Sequence, residues 1–164
     1  MIRTALIVAA LATPVTAQSF DEAVRQNLAL GISICVQHVG DPARARGMLE
    51  AAGYAYAGFD GPAEDATHRY AAPAGTVEVL IYDGQTAPFC HVETNHLTPG
   101  QAGQITGGVL QGVAPGKFAP TPAECPNWTE IGPPLPLTVG VSDLGNGGGC
   151  PEASGARIFF FFAV

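Results

Sequence analysis

Cysteine and histidine carry most of the chemistry this chain offers, and they meet twice. Cys35 and His38 stand one helical turn apart, and Cys90 directly precedes His91. A neighbouring imidazole can take the proton of a thiol and leave a nucleophilic thiolate. The competing reading is structural. Cys35 falls on an apolar helical stripe, and no C-x-x-C motif supports redox catalysis. Cys35, Cys90, Cys125 and Cys150 are therefore expected to form two disulfides.

His91, Glu93 and His96 form a second constellation. Imidazole and carboxylate are common zinc ligands. Strand alternation puts His91 and Glu93 on one face and His96 on the other, so His38 or His68 would have to complete the set. His91 and Glu93 are kept as the candidate metal pair, against solvated surface side chains. A small hydrolase or metal-dependent enzyme would use the same two residues.

Tyr54, Tyr56, Tyr70 and Trp128 offer a third possibility, a stacking platform for sugars or peptides. Tyr54 and Tyr56, two apart, share a strand face, and with Trp128 they are the candidate ligand-binding residues. The alternative is ordinary packing. The run Gly145 to Gly149 could cradle an anion on its backbone N–H groups. A phosphate loop needs a following helix and usually a lysine, and Cys150-Pro151 follows instead, so the run reads as a turn. No G-x-S-x-G, H-E-x-x-H or paired-carboxylate motif occurs, and serine is scarce. No cofactor is implied.

The N-terminus decides how the cysteines are read. Met1-Ile2-Arg3, an apolar run from Ala5 to Ala12 and then Val15-Thr16-Ala17 have the layout of a secretory signal, with cleavage expected after Ala17. The run is too short to span a bilayer, which takes about 20 apolar residues. The expected organisation is a signal peptide, residues 1–17, and one domain, residues 18–164. Losing Arg3 takes the net charge from −7 to −8. An acidic surface without a basic run argues against nucleic acid and against an anionic membrane. The expected location is periplasmic or secreted, where disulfides persist.

Four cysteines allow three pairings. Cys35–Cys90 and Cys125–Cys150 are favoured. The first two sit in apolar segments that can face one core, and the last two bracket a Pro/Gly-rich region. Loops of this size stabilise by roughly 3.5–4 kcal/mol each on the chain-entropy account.

The elements that must hold these residues follow from periodicity. Val24, Leu28, Gly31, Cys35 and Val39 mark a helix over residues 20–39, with Ser19 as N-cap and Gly40 beyond its end. Asp41-Pro42 opens a second helix with Ala45, Met48, Leu49 and Ala52 inward. About three antiparallel strands follow. Val77, Val79 and Ile81 share a face of one, Asp83-Gly84 signals a hairpin, and Cys90, Val92 and Thr94 share a face of the next. Thr98-Pro99-Gly100-Gln101 is a capping box opening a third helix, with Ala102, Ile105, Val109 and Val113 as its inner stripe. Seven prolines between residues 115 and 136 impose extended or turn geometry. A strand is expected over residues 135–141. The apolar run Ile158 to Val164 suggests a strand covered on both faces. No internal repeat is visible.

The fold class expected is α+β: two N-terminal helices and one later helix packed on an antiparallel sheet, disulfide-linked. The function expected is a non-catalytic binding or interaction module, with an unidentified protein or small molecule as partner in the cell envelope or outside. The alternative is the enzyme built on His91 and Glu93.

Overall fold

The computed structural model describes residues 19–62, 66–84, 89–133, 135–145, 150 and 153–162. The signal-peptide reading, most of the glycine run and Ala163-Val164 lie outside the described residues. Among the described residues there are three α-helices: α1 (Phe20–His38), α2 (Pro42–Ala51) and α3 (Pro99–Val113). The strands are β1 (Ala55–Asp60), β2 (Thr67–Ala71), β3 (Glu78–Tyr82), β4 (Phe89–Thr94), β5 (Phe118–Pro120), β6 (Asn127–Glu130), β7 (Leu137–Asp143) and β8 (Ala156–Phe162). They form one antiparallel sheet in the order β1-β2-β3-β4-β8-β7-β6-β5. The fold is α+β, as the sequence implies.

Local chemistry places the helices. The Ser19 hydroxyl accepts from the Glu22 N–H, and Asp21 and Glu22 sit where the helix dipole favours negative charge. Asp41 caps α2 by accepting from the Arg44 N–H, and Pro42 takes the first turn, where no N–H is needed. Thr98 and Gln101 form both halves of the capping box of α3. The end of α1 departs from expectation: Gly40 is not left-handed. The Asp41 N–H instead donates to the His38 carbonyl and turns the chain directly into α2.

The helices share one face of the sheet. Val79, Val92, Ile158 and Val141 stand side by side across β3, β4, β8 and β7, and all are buried. Gly31 lets α1 lie close on this row. A Cβ there would come 3.1 Å from Val79 Cγ2 and 3.2 Å from Val92 Cγ1. The disulfide Cys35–Cys90 fastens α1 to β4, and Cys125–Cys150 ties the segment before β6 to the β7–β8 connection. Their Cα separations, 5.8 and 5.2 Å, are ordinary for disulfides.

Further expectations change. The inner side of α3 is Ala102, Gly103, Thr106 and Leu110, a rotation away from Ile105, Val109 and Val113, which are half-buried. Thr106 enters the core because its hydroxyl donates to the Ala102 carbonyl, leaving no orphan polar group. Tyr82 pairs with Phe89, so residues 83–88 connect β3 to β4 and no two-residue hairpin forms at Asp83-Gly84. The proline-rich stretch contributes two strands, β5 and β6, where only turn or extended chain was expected. Finally, β8 is interior within the sheet but is not covered on both faces. Ile158 and Phe160 are fully buried beneath the helices, whereas Phe161 is 43 % exposed on the other face. Phe159 and Phe161 stack there with centroids 5.7 Å apart.

The topology also contains a symmetry the sequence hides. A helical segment followed by a four-strand meander occurs twice, as the pair α1–α2 with β1–β4 and as the single helix α3 with β5–β8. The last strands of the two meanders, β4 and β8, pair at the centre, and α1 packs on α3 above them.

Candidate functional site

His91 and Glu93 sit together on the face of β4 that points away from the helices, as alternation requires. Glu93 is engaged: the Arg157 Nε–H donates to its Oε1 at 2.6 Å. One strand further, the Arg69 guanidinium forks onto Glu78, at 2.8 and 3.0 Å. Glu78, Glu93 and Arg157 are successive neighbours across β3, β4 and β8. The row is a lateral ladder of ion pairs. Burial, aided by the Arg157 charge, pushes the His91 imidazole down to about 4, so it is neutral at pH 7. His96 lies beyond β4, with its ring edge-on to Phe20 at 5.0 Å. Among the described residues no three His, Cys, Asp or Glu side chains gather as a metal site. The sulfurs of Cys35 and Cys90 are bonded to each other and supply no thiolate.

The tyrosines separate. Gly53, left-handed at φ +88°, ends α2 and turns Tyr54 under α1. There the Tyr54 hydroxyl donates to the Asn27 carbonyl at 2.5 Å, and burial raises its pKa. Trp128 lies half-buried on β6 against Gly107 of α3, at the far end of the sheet. Tyr54 and Trp128 are thus packing residues, and Tyr56 is left exposed at the β1 edge.

Tyr56 is not alone there. Its ring meets that of Tyr70, its partner across the β1–β2 ladder, at 5.3 Å. It also lies 6.0 Å from the His68 ring, and Phe59 lies 6.2 Å from the same ring. On a regular strand Tyr56 and Phe59, three residues apart, would face opposite sides. A bulge prevents this. The register runs from Tyr56↔Tyr70 to Gly58↔Arg69 and Phe59↔His68, which leaves Ala57 as the extra residue. Gly58 adopts φ +115°, a value that L side chains rarely reach. Both aromatic rings therefore flank His68, with Tyr56 49 % and Phe59 55 % exposed.

Behind the rings is a polar group assembled from β1, β2, α2 and the end of β3. Tyr56 Oη is 3.3 Å from His68 Nδ1, and His68 Nε2 is 3.9 Å from Asp83 Oδ2. Arg46 of α2 binds the same Asp83 oxygen at 2.5 Å. The tautomer with hydrogen on Nε2 fits both contacts: Nδ1 accepts from the Tyr56 hydroxyl, and Nε2–H faces the carboxylate. The Tyr70 hydroxyl donates to Glu50 Oε1 at 3.3 Å. Desolvation, followed by the Arg46 charge, lowers the His68 pKa, with Asp83 opposing. Burial and Glu50 push Tyr70 up to about 12. Sequence reasoning missed Phe59, His68, Asp83 and Arg46 as neighbours. The one available signal was Gly58 inside a strand pattern, which marks bulges.

An apolar cleft of about 290 Å³ opens where α1 and α3 end, lined by Val36, Val113, Phe118, Leu137 and Phe162. Lys117, the only lysine in the chain, stands at this cleft with Glu130. Two helix C-termini converge on it, and their carbonyl ends offset the lysine charge.

No protein-family profile, curated protein or solved structure matches this chain.

Proposed function

We propose that this chain is a non-catalytic binding module of an oxidising, exported compartment, and that it binds through the edge formed by Tyr56, Phe59 and His68. The observation that carries this is the bulge at Gly58, which turns two exposed aromatic rings to the same side of one imidazole. A bulge of this kind re-aims a side chain, and large rings left in water without a ligand gain nothing in stability. The signal-like N-terminus and the two disulfides support export.

The enzyme reading on His91 and Glu93 has less support. Catalysis needs polar groups converging in a cleft. Glu93 is committed to Arg157, and the row it belongs to lies along a sheet face.

The test compares wild type with the double variant Tyr56→Ala, Phe59→Ala as immobilised bait for an envelope extract. Both rings are surface residues, so the variant is expected to keep the wild-type unfolding temperature within a few degrees. Species held by wild type and lost by the variant support the binding edge. The same species captured by both overturns it.

A further inference from the structure

We infer that the ligand of the Tyr56–Phe59–His68 edge is a carbohydrate, bound as a neutral sugar ring against the aromatic side chains. This rests on the binding-edge reading above and narrows it to one chemical class.

Charge is the first argument. Arg46 is the cation of the cluster, and it is bound to Asp83. Arg69 leaves from the other face of β2 and is held by Glu78. Both of these cations are thus already paired with carboxylates, which leaves neither to receive a phosphate or carboxylate, and the whole chain is acidic. Nucleotides and other polyanions do not suit it.

Ring geometry is the second. The Tyr56 and Phe59 planes are inclined 41° and 43° to the His68 plane. The three rings do not make one flat wall for a planar base. A sugar ring presents C–H groups on its faces and hydroxyls around its rim, so it packs on one tilted ring and still reaches polar groups beside it.

The polar groups are the third. A sugar hydroxyl donates and accepts, and recognition needs both kinds of partner fixed close to the stacking ring. Here Tyr56 Oη keeps an acceptor site after donating to His68. Asp83 offers carboxylate oxygens, and the Arg46 fork offers N–H groups. The neutral imidazole adds no charge that would demand an anion. These groups are held from β1, β2, α2 and the end of β3, so their geometry is set before any ligand arrives.

The experiment uses the full oxidised chain, titrated with cellotetraose and chitotetraose as neutral oligosaccharides. Spermine and adenosine serve as cationic and planar aromatic comparisons. Binding is followed by calorimetry and by NMR shifts of Tyr56, Phe59 and His68. The expected result is saturable binding of a neutral oligosaccharide that Phe59→Ala weakens about tenfold, as loss of one stacking ring does. The proposal is overturned if neither sugar binds, if Phe59→Ala binds sugar as wild type does, or if only spermine or adenosine shifts these residues. Failure of the sugar arm while the extract comparison still separates wild type from the double variant rejects the ligand class alone. Failure of the extract comparison rejects the binding edge itself.

Discussion

Phe59 stands directly across the β1–β2 ladder from His68, on the side that Tyr56 already occupies. With Ala57 present, that relationship depends on the bulge that absorbs this extra residue and on the backbone of Gly58. Deleting Ala57 removes the bulge and preserves which face each ring takes, so it should be tolerated. Gly58→Val forces a β-branched residue to φ +115° and should cost about 1–3 kcal/mol, releasing Phe59 from His68. Thermal unfolding measures the cost, and a lost Phe59–His68 NOE reports the release.

Acid should weaken the fold through His91. Its pKa is about 4 when folded and near 6.5 when unfolded, so the unfolded chain binds more protons between those values. Stability is then complete above about pH 6.5, falls as the pH drops, and levels off below about 4. The loss attributable to His91 is up to about 3 kcal/mol. His68, also lowered, acts in the same direction. In His91→Gln the slope of urea-unfolding free energy against pH should flatten over this window. An unchanged slope would remove His91 as its source.

Two glycines of α3 should respond with opposite signs. Gly108 has nothing within 4 Å of an added Cβ, so Gly108→Ala should stabilise by about 0.5–1 kcal/mol through helix propensity. At Gly103 the new atom would lie 2.6 Å from Pro126 Cγ, a rigid ring beside β6. Gly103→Ala should destabilise by about 1–2 kcal/mol despite the same propensity gain. Midpoints of chemical unfolding decide both signs.

Adjacent phenylalanines of β8 should differ sharply. Phe160 is wholly buried at the centre of the sheet, and Phe160→Ala should cost about 3–5 kcal/mol. Phe161 faces the other way and is exposed, so Phe161→Ala should cost less than about 1 kcal/mol. Deleting residues 160–164 removes the strand end between β4 and β7 and should abolish folding. A deletion protein with the wild-type melting curve would contradict the central placement of β8.

The two disulfides should reduce in order. Cys35 and Cys90 are fully buried between α1 and β4, whereas Cys125 is half-buried. Reductant under native conditions should open Cys125–Cys150 first, because thiol exchange needs access to sulfur. Timed alkylation followed by mass spectrometry shows the order. Early labelling of Cys35 would contradict it.

Much of the frame is legible in the residues. The stripe Val24, Leu28, Gly31, Cys35 and Val39 is the buried side of α1, and Cys90, Val92 and Thr94 are the buried side of β4. Those two patterns also brought Cys35 to Cys90. The inward turn of α3 was not legible, because Thr106 reads as polar until its bond to the Ala102 carbonyl is seen. The strands β5 and β6 were hidden by prolines, which sit at or before the strand ends, away from the ladder's interior. The binding edge was only partly visible. Tyr56 stood out by type, but its partners come from α2, β2 and the end of β3. A period-2 reading of β1 assigns Phe59 to the wrong side.

The paired meanders have a consequence for how this chain can be divided. Each disulfide closes within one half: Cys35–Cys90 lies before the exposed Asn95-His96 segment and Cys125–Cys150 after it. No covalent staple crosses the midline. A single proteolytic nick at Asn95 therefore yields two fragments, each internally crosslinked and each carrying half of the central joint. Residues 90–94 of one fragment must find residues 156–160 of the other, with α1 settling against α3 above them. The molecule has the build of a split reporter, two internally crosslinked pieces whose reunion restores one sheet.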